Sequence, residues 1–132
     1  MKVLVAEDDL MSLRLLDATF SRWGYEVDTC SDGLQAWERL RSEDPPEIAV
    51  LDWMMPGLDG PELCRRVRQS PELAAIYIIL VTAKSRGADM IEGLEAGADD
   101  FISKPFDRGE LAARVRVGER LLETQKQRLK RE

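Results

Sequence analysis

The chain has 132 residues, 44% of them hydrophobic and 33% charged, with a formal net charge of −6. That length suits one domain with a substantial core, and that balance excludes a disordered or fibrous chain. There is no histidine, which excludes a histidine triad, a histidine metal site and an internal phosphohistidine.

No apolar stretch approaches the length that crosses a bilayer. The opening "MKVLVAEDD" meets acidic residues too early for a signal peptide, so a cytoplasmic protein without membrane contact is expected. Charge is unevenly spread. From Arg114 onward seven Lys/Arg face three Glu, which leaves −10 on the first 113 residues. An acidic body lacks the clustered cations that a direct grip on nucleic acid needs. Cys30 and Cys64 show no metal-type spacing and are expected as buried, reduced thiols.

Along the chain, short apolar runs alternate with segments of helical period, the pattern of a parallel α/β sheet. "KVLVA" (2–6) predicts a buried first strand. Residues 10–23 place Leu10, Leu13, Leu15, Leu16 and Phe20 at helical spacings, with Gly24 as the stop. "YEVDTC" (25–30) alternates like a strand nearer the sheet edge. Ser31 or Asp32 is placed to cap a helix with Leu34, Trp37 and Leu40 on one face, ending before Pro45-Pro46.

"EIAVLD" (47–52) predicts the third strand, and Gly60-Pro61 opens a helix carrying Leu63, Cys64 and Val67. "IYIILVT" (76–82) is the strongest strand signal. "ADMIEGLEAG" (88–97) predicts a short helix, "DFISK" (100–104) a last strand, and a final helix starts near Asp107. Five strands and five helices in strict alternation give a doubly wound α/β sheet, a (βα)5 fold.

Ligand chemistry in such sheets gathers at the carboxyl ends of the strands, near the switch in strand order. Here the first strand ends at Glu7-Asp8-Asp9, the third at Asp52, the fourth at Thr82 and the fifth at Lys104. Singly these residues have plain structural readings: Asp9 as a helix cap, Thr82 as strand filler, Lys104 as a solvated charge. Together, converging carboxylates repel one another, and a hard divalent cation such as Mg²⁺ resolves the conflict. A hydroxyl and an ammonium beside such an ion suit a tetrahedral anion. Asp52 at the centre is placed to act as nucleophile and carry a phosphoryl group, chemistry that relies on positioning more than on an acid or base.

These residues closely resemble the receiver domain of bacterial two-component response regulators, the CheY-like family, over about residues 1–122. "VLVAEDD" is similar to the family's acidic-pair strand. "VLDWMMPGLDG" is similar to its phosphoacceptor loop, and "VTA" and "SKPF" supply Thr82 and Lys104-Pro105. The spacings match too: 44 positions from Asp8 to Asp52, 30 from Asp52 to Thr82 and 52 from Asp52 to Lys104.

The resemblance implies a flavodoxin-like sheet and a set of roles. Asp52 would take a phosphoryl group from the phosphohistidine of a sensor histidine kinase or phosphotransfer protein. Asp8, Asp52 and the Met54 backbone carbonyl would ligate Mg²⁺, with Glu7 acting through water. Lys104 would pair with Asp52 and then with the phosphoryl oxygens, Ala83 would leave room for the group, and the bond to Pro105 would be cis. Thr82 and Phe101 would form the switch that reshapes the face made by the fourth helix, fifth strand and fifth helix. One departure stands out: the pair is Glu-Asp in place of Asp-Asp. Such a domain is no enzyme beyond its own phosphorylation and dephosphorylation. Two other classes stay in view, an aspartyl-phosphate phosphatase and a pseudo-receiver interaction module. Met54, where such phosphatases place a second Asp, speaks against the first.

Residues 123–132 are expected to extend the last helix. Leu111, Val115, Gly118, Leu122, Gln125 and Leu129 recur at spacings of four and three, like a coiled-coil seam. That stripe predicts either a solvated tail or a helix that pairs with a second chain or leads to an output domain. The tail "RVRVGERLLETQ" is similar to those of receivers followed by cyclic-dinucleotide synthase or phosphatase domains.

Overall fold

The computed structural model describes residues 1–83 and 87–131. Strands β1 (Lys2–Ala6), β2 (Glu26–Cys30), β3 (Ile48–Asp52), β4 (Tyr77–Thr82) and β5 (Asp100–Ser103) alternate with five helices. These are α1 (Leu10–Arg22), α2 (Gly33–Leu40), α3 (Gly60–Gln69), α4 (Gly87–Ala96) and α5 (Arg108–Arg131). All strand pairs are parallel, in the order β2-β1-β3-β4-β5. The direction of strand order changes at β1/β3, which is where a ligand crevice forms in such sheets. No described helix is long and apolar enough to cross a membrane.

The strands alternate their side chains between two cores, as a period of two requires. Leu4, Ala6, Ala49, Leu51, Ile78 and Leu80 face α2, α3 and α4, meeting Leu40, Leu63, Cys64 and Val67. Val3, Val5, Ile48, Val50, Ile79 and Val81 face α1 and α5, meeting Leu16, Phe20, Leu111 and Val115. Because β1, β3 and β4 are covered on both faces, they read as unbroken apolar runs. Cys30 and Cys64 are free and buried, and burial pushes their thiols up to about 11 and about 12.

Helix starts are capped at Asp9 and Asp32, as expected, and also at Asp59. Asp9, Asp32 and Asp59 each accept a hydrogen bond from the backbone N–H three residues on. Some apolar assignments differ from expectation. Leu10, Leu15 and Leu34 are exposed, and in α2 the inward positions are Ala36 and Leu40, with Trp37 partly buried. Short helices lying on a sheet bury a narrower stripe than their apolar content suggests.

The largest revision concerns the last helix. Leu111, Val115 and Leu122 belong to the core between α5 and the sheet, and Gly118 is packed so closely on Tyr77 that an added Cβ would lie 2.6 Å from its ring. Two-thirds of the expected coiled-coil seam is therefore the domain's own packing stripe. Spacings of three and four mark any buried helix face, whichever surface covers it. Beyond that stripe α5 continues without a break to Arg131, Lys126 pairs with Glu47 at 3.0 Å, and Leu129 is 73% exposed. Glu132, the last residue of the expected extension, lies outside the described residues.

Candidate functional site

The site is built by strand ends. Glu7 follows β1, Asp52 ends β3, Thr82 ends β4, and Lys104 follows β5. Alternation continues past β1: Glu7 keeps the parity of Val3 and Val5, so its side chain turns inward and is 1% exposed. Asp52, in phase with Ile48 and Val50, is 5% exposed, while Asp8 is out of phase and exposed.

Lys104 closes the arrangement. Its Nζ lies 3.0 Å from Asp52 Oδ2 and 2.8 Å from Glu7 Oε1. The contact with Asp52 matches the expected pairing. The contact with Glu7 was not foreseen, although the period-two phase of Glu7 carried the signal. The Lys104–Pro105 peptide is cis, as expected.

Two buried carboxylates and one ammonium leave an excess of negative charge. Burial first, and then the hydrogen bond with Glu7, push the Asp52 carboxyl up to about 7, against the pull of Lys104. For Glu7 burial alone would raise the value, but hydrogen bonds with Asp52 and Lys104 outweigh it and hold the group low. Burial weakens the Lys104 ammonium, yet hydrogen bonds to the two carboxylates prevail and raise its pKa. The pair thus holds a proton on Asp52 near neutrality when no cation is bound.

The donor set fits a hard cation. Glu7, Asp8 and Asp52 each offer a carboxylate oxygen, and these oxygens lie within 4.8 Å of one another. Glu7 Oε2 accepts the Asp9 N–H at 3.2 Å. Glu7 Oε1 is buried against the Lys104 ammonium at 2.8 Å, and a carboxylate oxygen with that one partner has a lone pair to spare for a cation. All-oxygen, carboxylate-rich sets of this kind suit Mg²⁺.

The loop behind Asp52 is drawn in tightly. Trp53 N–H continues the ladder to Val81 O at 2.9 Å, and Gly60 N–H returns to Trp53 O at 2.9 Å. An added Cβ at Gly60 would sit 2.8 Å from the Asp52 carbonyl oxygen, so glycine is what lets α3 restart beside the acid. Trp53 is buried, and the Met54 side chain is 61% exposed.

Thr82 is 2% exposed, and the next residue, Ala83, is exposed. Phe101 is partly buried against the core shared by α3 and α4. Its ring lies so close to Gly93 of α4 that an added Cβ there would be 2.5 Å from Phe Cζ. A cavity of about 320 Å³ opens beside the cluster, bounded by Glu7 and Lys104 and by apolar Leu15, Val81 and Phe106.

This is a three-layered parallel α/β domain, helices on both faces of one sheet, with an acidic, lysine-bridged rim at the carboxyl ends of its strands. Residues 3–116 match the family model of the response regulator receiver domain. The phosphate regulon transcriptional regulatory protein PhoB of Rhizobium meliloti is 44% identical over 116 residues, 88% of this chain and 51% of that protein. The response regulator PleD of Caulobacter vibrioides is 43% identical over 115 residues, 87% of this chain and 25% of that protein. Among solved structures, the receiver domain of Francisella response regulator 1452 superposes with a TM-score of 0.83 at 33% identity, covering 92% of this chain and 98% of that one. The signal receiver domain of a signal transduction histidine kinase from Syntrophus aciditrophicus gives 0.81 at 34% identity, covering 89% and 88%.

The chain belongs to the response regulator receiver domain family. It spans about half the length of PhoB and a quarter of PleD.

Proposed function

We propose that Asp52 is the phosphoacceptor of this receiver and takes its phosphoryl group from a sensor histidine kinase or a phosphotransfer protein in the cytoplasm. The observation that carries this reading is Lys104 Nζ set between Glu7 and Asp52 at 2.8 and 3.0 Å. An ammonium so placed neutralises the nucleophile before transfer and an incoming phosphoryl oxygen after it.

Asp8, Asp52 and the Met54 carbonyl would hold Mg²⁺, with Glu7 acting through water. When bound there, the ion would supply charge neutralisation for the phosphoryl oxygens and favour the ionised Asp52 carboxylate. The Asp52 carboxylate attacks phosphorus, and the donor's bond to phosphorus breaks with its electron pair leaving on the donor. Thr82 donates its hydroxyl to a phosphoryl oxygen, and the small Ala83 leaves the approach open.

Thr82 and Phe101 then carry the signal to α4, β5 and α5 as a population shift. The readout is a second copy, docked through that face or the helical extension, or a covalently linked output domain. Residues 1–122 form the receiver proper, and 123–132 extend its last helix toward that readout.

Incubation with acetyl phosphate and Mg²⁺ tests this. One phosphoryl mass should be gained, lost in alkali and absent from Asp52→Ala.

A further inference from the structure

The carboxyl-terminal end of α4, where Ala96 and Ala98 are buried in the core, is also tied by one side chain from a different helix. Arg68, near the end of α3, donates from Nε to Gly97 O at 2.9 Å and from Nη1 to Ala74 O and Ile76 O, both at 2.7 Å. Its Nη2 donates to Asp99 Oδ2 at 2.6 Å. That oxygen also accepts the Ile78 N–H at 2.8 Å, and the Asp99 N–H returns to Ile78 O at 2.9 Å.

Four of the five guanidinium donors are thus spent on one junction. They tie α3 to the turn before β4, to the end of α4 and to the residue just before β5. Charge-assisted bonds of this length are stronger than neutral ones. The Arg68 side chain is 24% exposed. Its aliphatic stem lies against Gly97, which turns the chain at φ +121.

The other supports of α4 are of a different kind. Midway, Gly93 rests on the Phe101 ring. Its amino-terminal end follows the segment after Thr82, and its outer side exposes Met90, Ile91 and Leu94. One end is fixed by directional bonds, and the middle rests on an aromatic ring packed against the apolar core, a contact without directional bonds.

We propose that Arg68 is a positioning residue of the switch: it pins the carboxyl-terminal end of α4, so that α4 swings about Gly97 when Thr82 and Phe101 move, instead of shifting as a whole. Arg68 also lies one residue from the end of α3, the helix that begins eight residues after Asp52, so the pin and the phosphoacceptor loop share one rigid element. The inference rests on the phosphoacceptor reading above.

The test is an amide-resolved NMR comparison of the full chain with and without Mg²⁺ and beryllofluoride, a phosphoryl mimic. In the wild type, shifts should be large at Thr82, Met90 to Gly93 and Phe101, and should fall away at Ala98 and Asp99. In Arg68→Met the Ala98 and Asp99 shifts should grow to the size of those at Gly93. Arg68→Lys keeps the cation but makes fewer bonds; it should lie between the two, and it carries the test should Arg68→Met not fold. Wild-type shifts at Ala98 and Asp99 as large as at Gly93 would overturn the pin. So would a variant with a lower melting temperature and an unchanged pattern of shifts, because Arg68 would then be structural only. No response at Asp52 or Thr82 in any variant would instead remove the phosphoacceptor reading, and the pin with it.

Discussion

Lys104 reaches across β4 to meet Asp52 at 3.0 Å, so the last strand's end neutralises the carboxylate of the central strand. The same ammonium touches Glu7 at 2.8 Å, beyond β3 in the sheet. One cation therefore serves two buried acids, and its removal takes from both the counter-ion they share among the described residues. Lys104→Met should lower the stability of the metal-free protein by roughly 1–3 kcal/mol, the cost of stranding buried polar groups. Thermal melts at pH 8 read this directly. The loss should shrink at pH 6, where a proton on Asp52 offsets the missing charge.

The raised Asp52 carboxyl sets a pH dependence of definite sign. A carboxyl whose folded value lies near 7, above its ordinary 3.8, favours folding while protonated, and that contribution fades as pH rises through 7. Glu7 is shifted the other way, so its contribution is present above its ordinary 4.5 and is lost only under acid. Between about pH 4.5 and 7 Asp52 dominates, and above 7 the profile levels off. Metal-free wild type should lose stability across that window, and Asp52→Asn should flatten the profile and raise the melting temperature at pH 8. Millimolar Mg²⁺ should restore the wild type at pH 8 and do little for the variant.

Packing of the last helix yields a contrast within one stripe. Leu122 is 8% exposed and Leu129 is 73% exposed, although both occupy positions of the same apparent heptad. Leu122→Ala should cost roughly 2–4 kcal/mol, the range for truncating a core leucine. Leu129→Ala should fall within about 0.5 kcal/mol of wild type, as surface changes do. Urea unfolding of the two variants checks both. Equal costs would mean that Leu129 is also covered.

Gly118 supplies a sharper probe of the same packing. Gly118→Val would drive two methyl groups toward the Tyr77 ring, which already stands 2.6 Å from where a Cβ would be. Overpacking of this kind costs roughly 1–3 kcal/mol. Tyr77→Ala in the Gly118→Val background should recover part of that loss, a non-additivity that urea unfolding measures.

Much of this architecture was legible in the residues, for reasons that differ by element. β3 and β4 announced themselves because strands covered on both faces leave no room for polar residues. Asp9 and Asp32 announced helix starts because a carboxylate at that place satisfies an orphan N–H. The rim residues Asp52, Thr82 and Lys104 were legible because chain order alone places strand ends together.

Other features have no one-dimensional signature. Leu34 and Ala36 differ in which one faces inward, and only the docking angle of α2 decides. The stripe from Leu111 to Leu122 reads equally as a seam between chains and as the face laid on this sheet. Arg68 looks like any basic residue near a helix end, since its four acceptors come from two separate places in the chain, 74–76 and 97–99. Glu7 was half legible: its phase pointed inward, but its partner Lys104 lies 97 positions away.

The most direct measurement is the intact mass of the protein after incubation with acetyl phosphate and Mg²⁺. The wild type should gain a single alkali-labile phosphoryl group, Asp52→Ala should gain none, and omission of Mg²⁺ should abolish the gain. A wild type that stays unmodified under conditions that label another receiver, or an Asp52→Ala protein that is labelled as readily, would contradict the assignment of Asp52.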